Sequence, residues 1–428
     1  MITQVRTARP QIMLGGQDYY SQLAPYLLRF QYTDSCDGKK TDDCQFDLAD
    51  RDRKFINEWM PAPGATFNAS IICERWFSPN ASPLVLPCGT FYIDSIEFDL
   101  PAHTVSVKAN AIPNDTHGKV SNETKGWGDG GEGDAGTSLR KIADQIATKN
   151  HLHLDWRAGE RNPQYDRIEQ VEESAFQFLK RHAEDAKLEI KIAKGDLIVY
   201  DPLTLDQQPP KFTLVYGDGA AGGGVATFRM SGGRFRLQVT DLTAATTISN
   251  ADIGDGMTTT RQFDSNQLLP GPAGSPTSPF IQSLLPPVAG GTAQPPTQIP
   301  NLPEEWHDHL NWNSDVKQSG DNGGSGGPPL PIVRVDIPTG LQYFSDDSAA
   351  SDAALTKAQA RTREKNKRQY ESDIVMSIGN PLIAAGEVFD LSGCGQFDGP
   401  WFIETVRHTI AESKYETTLH IRRTLSGY

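Results

Sequence analysis

Gly89-Thr90-Phe91-Tyr92-Ile93-Asp94-Ser95-Ile96, followed by Thr104-Val105-Ser106-Val107-Lys108-Ala109, reads as two successive strands of a half-buried sheet. Side chains in a strand point alternately to its two faces, so Val105, Val107 and Ala109 share one face while Ser106 and Lys108 share the other. Phe91, Ile93 and Ile96 give the preceding strand its apolar face, and Asp94 and Ser95 break the alternation. One dry face and one wet face predict an antiparallel sheet or barrel.

The same texture extends upstream through residues 26–32, 44–48 and 67–73, with turn chemistry between the segments. Downstream it stops at a Gly-rich acidic segment, 126–136. Ser138 then stands at an N-cap position ahead of Leu139, Ile142, Ala143, Ile146 and Ala147, which share one face of a helix. A second amphipathic helix is predicted over 172–186, followed by a hairpin turning at Lys194-Gly195-Asp196. Strand patterns return at 212–216, 227–230 and 234–240, and again at 374–378, 388–391, 401–410 and 415–422.

Between these blocks, residues 266–333 alternate Pro-rich and Gly-Ser-rich motifs, a composition that cannot bury enough surface to offset chain entropy. A polar helix is predicted over 348–370, its last turns carrying Arg361, Arg363, Lys365, Lys367 and Arg368. The expected role of this basic run is a solvated helix face, with an anion-binding patch as the alternative. The fold expected is mainly β with an α+β insert. The units are a first barrel at 1–112, a Gly-rich acidic linker at 113–137 and an α+β module at 138–204. A second barrel is built from 205–265 with 371–428; the extended insertion at 266–333 and a strand and polar helix at 334–370 interrupt it.

With 428 residues the chain is long enough for several cores, and its 22% charged residues carry a net −14. That balance opposes a surface built to neutralise nucleic-acid phosphates, so no specific nucleic-acid binding is expected. No apolar run approaches the roughly 20 residues of a membrane helix, and the N-terminus lacks the apolar stretch of a signal peptide. No membrane insertion and synthesis in the cytoplasm are the corresponding expectations.

Catalytic and metal signatures are fragmentary. His151 with His153 and His307 with His309 each place two imidazoles two residues apart, but neither pair has an evident third ligand. Asp129, Glu132 and Asp134 lack the spacing of a calcium loop. Phosphate-binding loops, nucleophile elbows and zinc-protease motifs are missing from the contexts they require. No catalytic residue, cofactor or metal is therefore assigned, although a peptidoglycan hydrolase and a carbohydrate-binding β-sandwich adhesin remain as alternatives. Trp306 and Trp312, aromatic residues in the otherwise flexible-looking insertion, are candidate partner anchors. Cys36 with Cys44 and Cys73 with Cys88 flank two expected hairpins. Each pair is read either as a disulfide or as buried reduced thiols, with Cys394 unpaired.

Specific segments resemble the late control D family of phage baseplate hubs, which is related to the N-terminal part of VgrG-type spikes. Pro25-Tyr26-Leu27-Leu28, Asp47-Leu48-Ala49-Asp50-Arg51-Asp52 and Trp59-Met60-Pro61 with Gly64 are similar to its N-terminal signature. Glu173-Ser174-Ala175-Phe176-Gln177-Phe178-Leu179 is similar to its second helix, and Gly379-Asn380-Pro381-Leu382, Gly393-Cys394-Gly395 and Trp401-Phe402-Ile403 follow in the order of its last barrel. The resemblance implies two tail-tube-like antiparallel β-barrels flanking the small α+β module. It implies a non-enzymatic homotrimer in the virion that joins the sixfold tail tube to a threefold spike, with tape measure and baseplate wedge proteins as further partners. The 266–333 segment is longer than the family pattern, and the chain's end at Tyr428 implies a spike on a separate polypeptide.

Overall fold

The computed structural model describes residues 5–38, 40–62, 64–113, 122–128, 136–219, 225–237, 245–251, 258–264, 332–336, 342–343, 347–411 and 414–424. The first block contains β1 (Thr7–Leu14), β2 (Gln17–Asp18), the single turn α1 (Tyr20–Leu23), β3 (Leu27–Ser35), β4 (Asp43–Ala49), β5 (Thr66–Glu74), β6 (Leu84–Asp99) and β7 (Thr104–Asn110). These strands pair antiparallel in the order β2-β1-β5-β6-β7-β4-β3. Alternation sorts their faces: Cys44, Phe46 and Leu48 of β4 pack with Val105, Val107 and Ala109 of β7 in one core. Asp94 is the extra residue of a β-bulge, because Ile93 faces Ala109 and Ser95 faces Lys108. A second bulge at Cys88 and Gly89 bends β6 toward the module, where a Cβ on Gly89 (φ 114°) would meet Lys194 Cγ at 3.0 Å. Both the backbone angle and the close approach require glycine there.

The α+β module follows with β8 (Asn122–Trp127), β9 (Thr137–Ser138), α2 (Leu139–Lys149), β10 (His153–Arg157), β11 (Gln164–Tyr165) and β12 (Arg167–Ser174). It continues through α3 (Ala175–Asp185), β13 (Glu189–Ala193), β14 (Asp196–Tyr200) and α4 (Pro202–Asp206). Each main helix begins at a side-chain cap. Ser138 Oγ accepts from Lys141 N at 3.2 Å, and Ser174 and Gln177 form a capping box. The expected linker at 113–137 is corrected in part, since β8 pairs with β12 and buries Trp127 against Phe178 with ring centroids 5.8 Å apart. A tryptophan with a core to enter turns that end of the segment into a strand.

The last block holds β15 (Phe212–Val215), β16 (Ala226–Leu237), β17 (Ala245–Ala251), β18 (Thr258–Asp264), β19 (Ile332–Asp336), β20 (Gln342–Tyr343), α5 (Asp347–Asn366), β21 (Tyr370–Met376), β22 (Val388–Ser392), β23 (Gly399–Ala411) and β24 (Lys414–Arg423). Six of its strands close into a ring, β23-β22-β15-β16-β21-β24 and back to β23, in which β15 runs parallel to both neighbours. The expectation that all of 205–265 enters this barrel is corrected: β17 and β18 pair with β19 in a separate three-stranded sheet. Closure leaves the barrel no hydrogen-bonding edge to receive them.

β23 joins the two blocks. Its first residues pair with Val388–Leu391 of β22, its length pairs with β24, and residues 405–411 pair with Arg29–Ser35 of β3. The first sheet is therefore open and barrel-like, completed by strands from the other end of the chain: Ile410 and Tyr415 lie in its core, and Trp76 Nε1 donates to Gly379 O at 2.6 Å. Among the described residues no helix is long and apolar enough to cross a membrane.

Candidate functional site

The feature that composition and periodicity leave unexplained is a buried ionic junction where the first sheet, the module, α5 and the closed barrel meet. α5 reaches it with a stripe of small residues, Ala358, Thr362 and Asn366, all at 1% exposure or less, which lets its backbone approach closely. The basic run at its end is only partly solvated and faces carboxylates of this chain. Arg363 and Lys367 are buried while Arg361 and Arg368 stay half exposed, which corrects the solvated-face reading in part and leaves these four residues no free anion patch. Arg361 lies 3.2 Å from Asp185, Arg363 3.7 Å from Asp206, Lys367 3.5 Å from Glu189 and Arg368 3.7 Å from Asp37. The positive charges dock the helix onto carboxylates of the other units.

Two cations anchor the junction. Lys191 on β13 pairs with Asp34 of β3 and lies 3.1 Å from Asp42. Asp34 also accepts from Ala385 N of the barrel at 2.9 Å, and Asp42 accepts from Ser35 N at 3.1 Å. Burial pushes the Asp42 carboxyl up to about 6; Lys191 opposes that shift and the nearby Asp34 charge adds to it. Burial alone would depress Lys191, but Asp34 and the other negative neighbours outweigh it and hold its ammonium above the ordinary lysine range. At the other cation, Arg422 of β24 donates from Nε to Glu404 at 3.1 Å and from Nη2 to Asp206 at 3.2 Å, and its guanidinium sits 4.3 Å from the Phe402 ring centre. Glu371, Glu404 and His420, on three adjacent strands, bring ligand atoms within 4.8 Å of one another beside this pair.

The residues singled out from sequence fall elsewhere. All five cysteines are free thiols, and strand register rules out the two hairpin disulfides. Cys44 faces Tyr32, so Cys36 lies four residues further along, and Cys73 faces Leu84, four residues short of Cys88. At about 3.3 Å per residue both separations far exceed the roughly 7 Å between Cα atoms that a disulfide tolerates. Cys44, Cys73 and Cys88 instead line the first core as small apolar residues. His151 and His153 are exposed, His153 lying 3.5 Å from Asp196, and they gather no third ligand among the described residues. Trp306, Trp312, His307, His309 and the acidic residues Asp129, Glu132 and Asp134 lie outside the described residues. The extended-insertion reading of 266–333 likewise falls outside them, apart from the start of β19.

Neither a family model nor a curated protein sequence matches the chain. Solved structures do share its fold from end to end. The 43 kDa tail protein of prophage MuSo2 from Shewanella oneidensis superposes with a TM-score of 0.58 at 10% identity, over 98% of this chain and all of that one. The tail protein from Neisseria meningitidis MC58 gives 0.55 at 12% identity, over 97% and 96% of the two chains. The chain therefore has a phage tail-protein fold, with the arrangement of sheet, module and closed barrel common to the whole length of these chains.

Proposed function

We propose that the chain is the structural hub of a phage-type tail baseplate, a homotrimeric adaptor between the sixfold tail tube and the threefold central spike. The end-to-end agreement with two tail proteins is the observation that supports this reading. Two barrel-type units per subunit give a trimer six similar units on a ring, so one face matches a sixfold tube and the other a threefold spike. The shared strand β23 and the ionic junction fix the two units relative to each other, as a ring under mechanical load requires. The role is non-enzymatic and needs no cofactor for catalysis. Spike and tube proteins are the direct partners, with tape measure and baseplate wedge proteins reached in the assembled virion.

Light scattering on the purified chain, alone and mixed with the spike protein of its own particle, tests this. The expected species carries three copies of the 46.9 kDa chain. A chain that stays monomeric in both mixtures and turns over peptidoglycan overturns the hub reading in favour of a tail-tip hydrolase.

A further inference from the structure

We propose that Glu371, Glu404 and His420 bind one first-row divalent cation, with zinc the best match, clamping the outer face of the closed barrel where it meets the junction. The three residues sit on β21, β23 and β24, and β24 lies between the other two, with Asp373 and Thr405 facing His420 from either side. The register that pairs Ile403 with Ile421 runs on to set Glu404 opposite His420. Glu404 is the extra residue of a β-bulge, since Ile403 faces Ile421 and Thr405 faces His420, so two residues of β23 lie opposite His420.

Four observations point to a cation. The ligand atoms already converge: His420 Nε2 is 3.7 Å from Glu404 Oε2, and all three ligand atoms lie within 4.8 Å of one another. A tetrahedral zinc with bonds of about 2.0–2.2 Å holds its ligand atoms roughly 3.3–3.6 Å apart, so a small inward movement completes the site. Next, His420 Nδ1 lies 2.8 Å from Asp373 Oδ1. A carboxylate on that nitrogen fixes the tautomer and turns the Nε2 lone pair toward the two glutamates, the usual outer-shell support of a metal-bound imidazole.

Then there are the carboxylates themselves. Glu404 Oε2 and Glu371 Oε1 are buried and accept no hydrogen bond, although the Glu404 side chain is only 2% exposed. Leaving such oxygens without a donor costs free energy that a cation would recover. Arg422 holds the other Glu404 oxygen, so Glu404 has one oxygen free to ligate. Arg368 Nε stands 3.7 Å from Glu371 Oε1, beyond hydrogen-bonding distance. Finally, the His420 side chain is 34% exposed, which gives the ion an entry path and a water a fourth position. One imidazole with two carboxylates suits zinc, with manganese or ferrous iron as weaker fits.

The competing arrangement is a metal-free cluster in which His420 contacts only Asp373 and Glu404. Calorimetric titration of metal-stripped, full-length protein with zinc chloride at pH 7 separates the two, alongside His420→Ala, Glu371→Gln and Asp373→Asn. The ion reading expects one zinc per chain, with affinity at least tenfold weaker in His420→Ala and Glu371→Gln and about tenfold weaker in Asp373→Asn. Cobalt(II) in place of zinc should give visible absorption bands that the same variants lose. The Asp373 side chain is 68% exposed and Glu371→Gln keeps the side chain's shape, so these variants carry the test even where His420→Ala fails to fold. Wild-type protein that binds zinc no more tightly than these variants overturns the site, whatever the fate of the hub reading.

Discussion

Lys191 and Arg422 are both buried cations held between two carboxylates, one tying the first sheet to the module and the other tying the barrel to it. They do this with different chemistry. Arg422 presents a planar fork whose donors meet fixed acceptors on Glu404, Asp206 and the Arg423 carbonyl, with Phe402 beneath it. Lys191 offers a compact charge between Asp34 and Asp42, one of which is pushed up to about 6 by burial and by the other's charge. The fork sets a geometry, while the lysine balances a charge that a proton can also balance. The barrel joint should therefore fail by loss of shape and the first-sheet joint by change of protonation.

The sharpest way to break the comparison is to remove each cation. Arg422→Met leaves Asp206 and Glu404 buried without their donor, and urea unfolding should show a loss of about 3–5 kcal/mol. Arg422→Lys should recover little of it, because an ammonium cannot serve both carboxylates along the same directions. Lys191→Met should cost less, about 2–3 kcal/mol, because Asp42 can take up a proton. Adding Asp42→Asn to Lys191→Met should then restore roughly half the loss. Equal costs at the two sites, or no rescue by Asp42→Asn, would show that the joints do not differ as described.

Acidity sharpens the contrast. The folded Asp42 holds its proton more tightly than the unfolded chain, 6 against 3.8, so its contribution to stability is present at low pH and is lost as pH rises through about 6. His408, fully buried and stacked on Tyr32, behaves oppositely: burial lowers it to about 4, so its contribution is present above 6.5 and is lost as pH falls through 4. Between pH 6 and 4 the two oppose each other, each to the extent of up to about 3 kcal/mol. Asp42→Asn should steepen the fall of the urea midpoint on acidification. An unchanged slope would mean that Asp42 does not carry the proton.

What the sequence showed and what it hid follow from the range of the forces involved. The alternation of Val105, Val107 and Ala109, its break at Asp94 and Ser95 and the cap at Ser138 rest on neighbours a few residues apart, so they were legible; that the break is a β-bulge needed the partner strand. The junction was not. His420 alternates with Thr418 and Arg422, a pattern that reads as a wet face, and only pairing with β21 and β23, strands that carry Glu371 and Glu404, makes it a site. The basic run of α5 misled for a similar reason. Its partners Asp185, Glu189, Asp206 and Asp37 lie more than 150 residues upstream, and the one local clue was the small-residue spacing of Ala358, Thr362 and Asn366. The pairing of β3 with β23 spans some 370 residues and leaves no local trace.

The smallest effect belongs to the cysteines, and it tests the first-sheet side of the comparison. Cys88 sits near the acid-rich Lys191 cluster and Cys36 beside it, and both thiols are held high, chiefly by burial, with Asp34 and Asp42 adding to it; Cys36 is pushed up to about 12. Cys73, away from the cluster, reaches about 12 through burial alone. Thiols shifted so far above the ordinary cysteine value are poor nucleophiles near neutrality, because the thiolate is the reacting form. Ellman's reagent at pH 8 should therefore leave Cys44, Cys73 and Cys88 untouched in native protein and report five thiols after denaturation. A reductant should move the melting temperature by less than about 1 °C, since no cross-link exists to restrain the unfolded chain. Fewer than five thiols in denatured protein, or a melting temperature that falls on reduction, would restore a disulfide to the first sheet and refute the register of β3 with β4 or of β5 with β6.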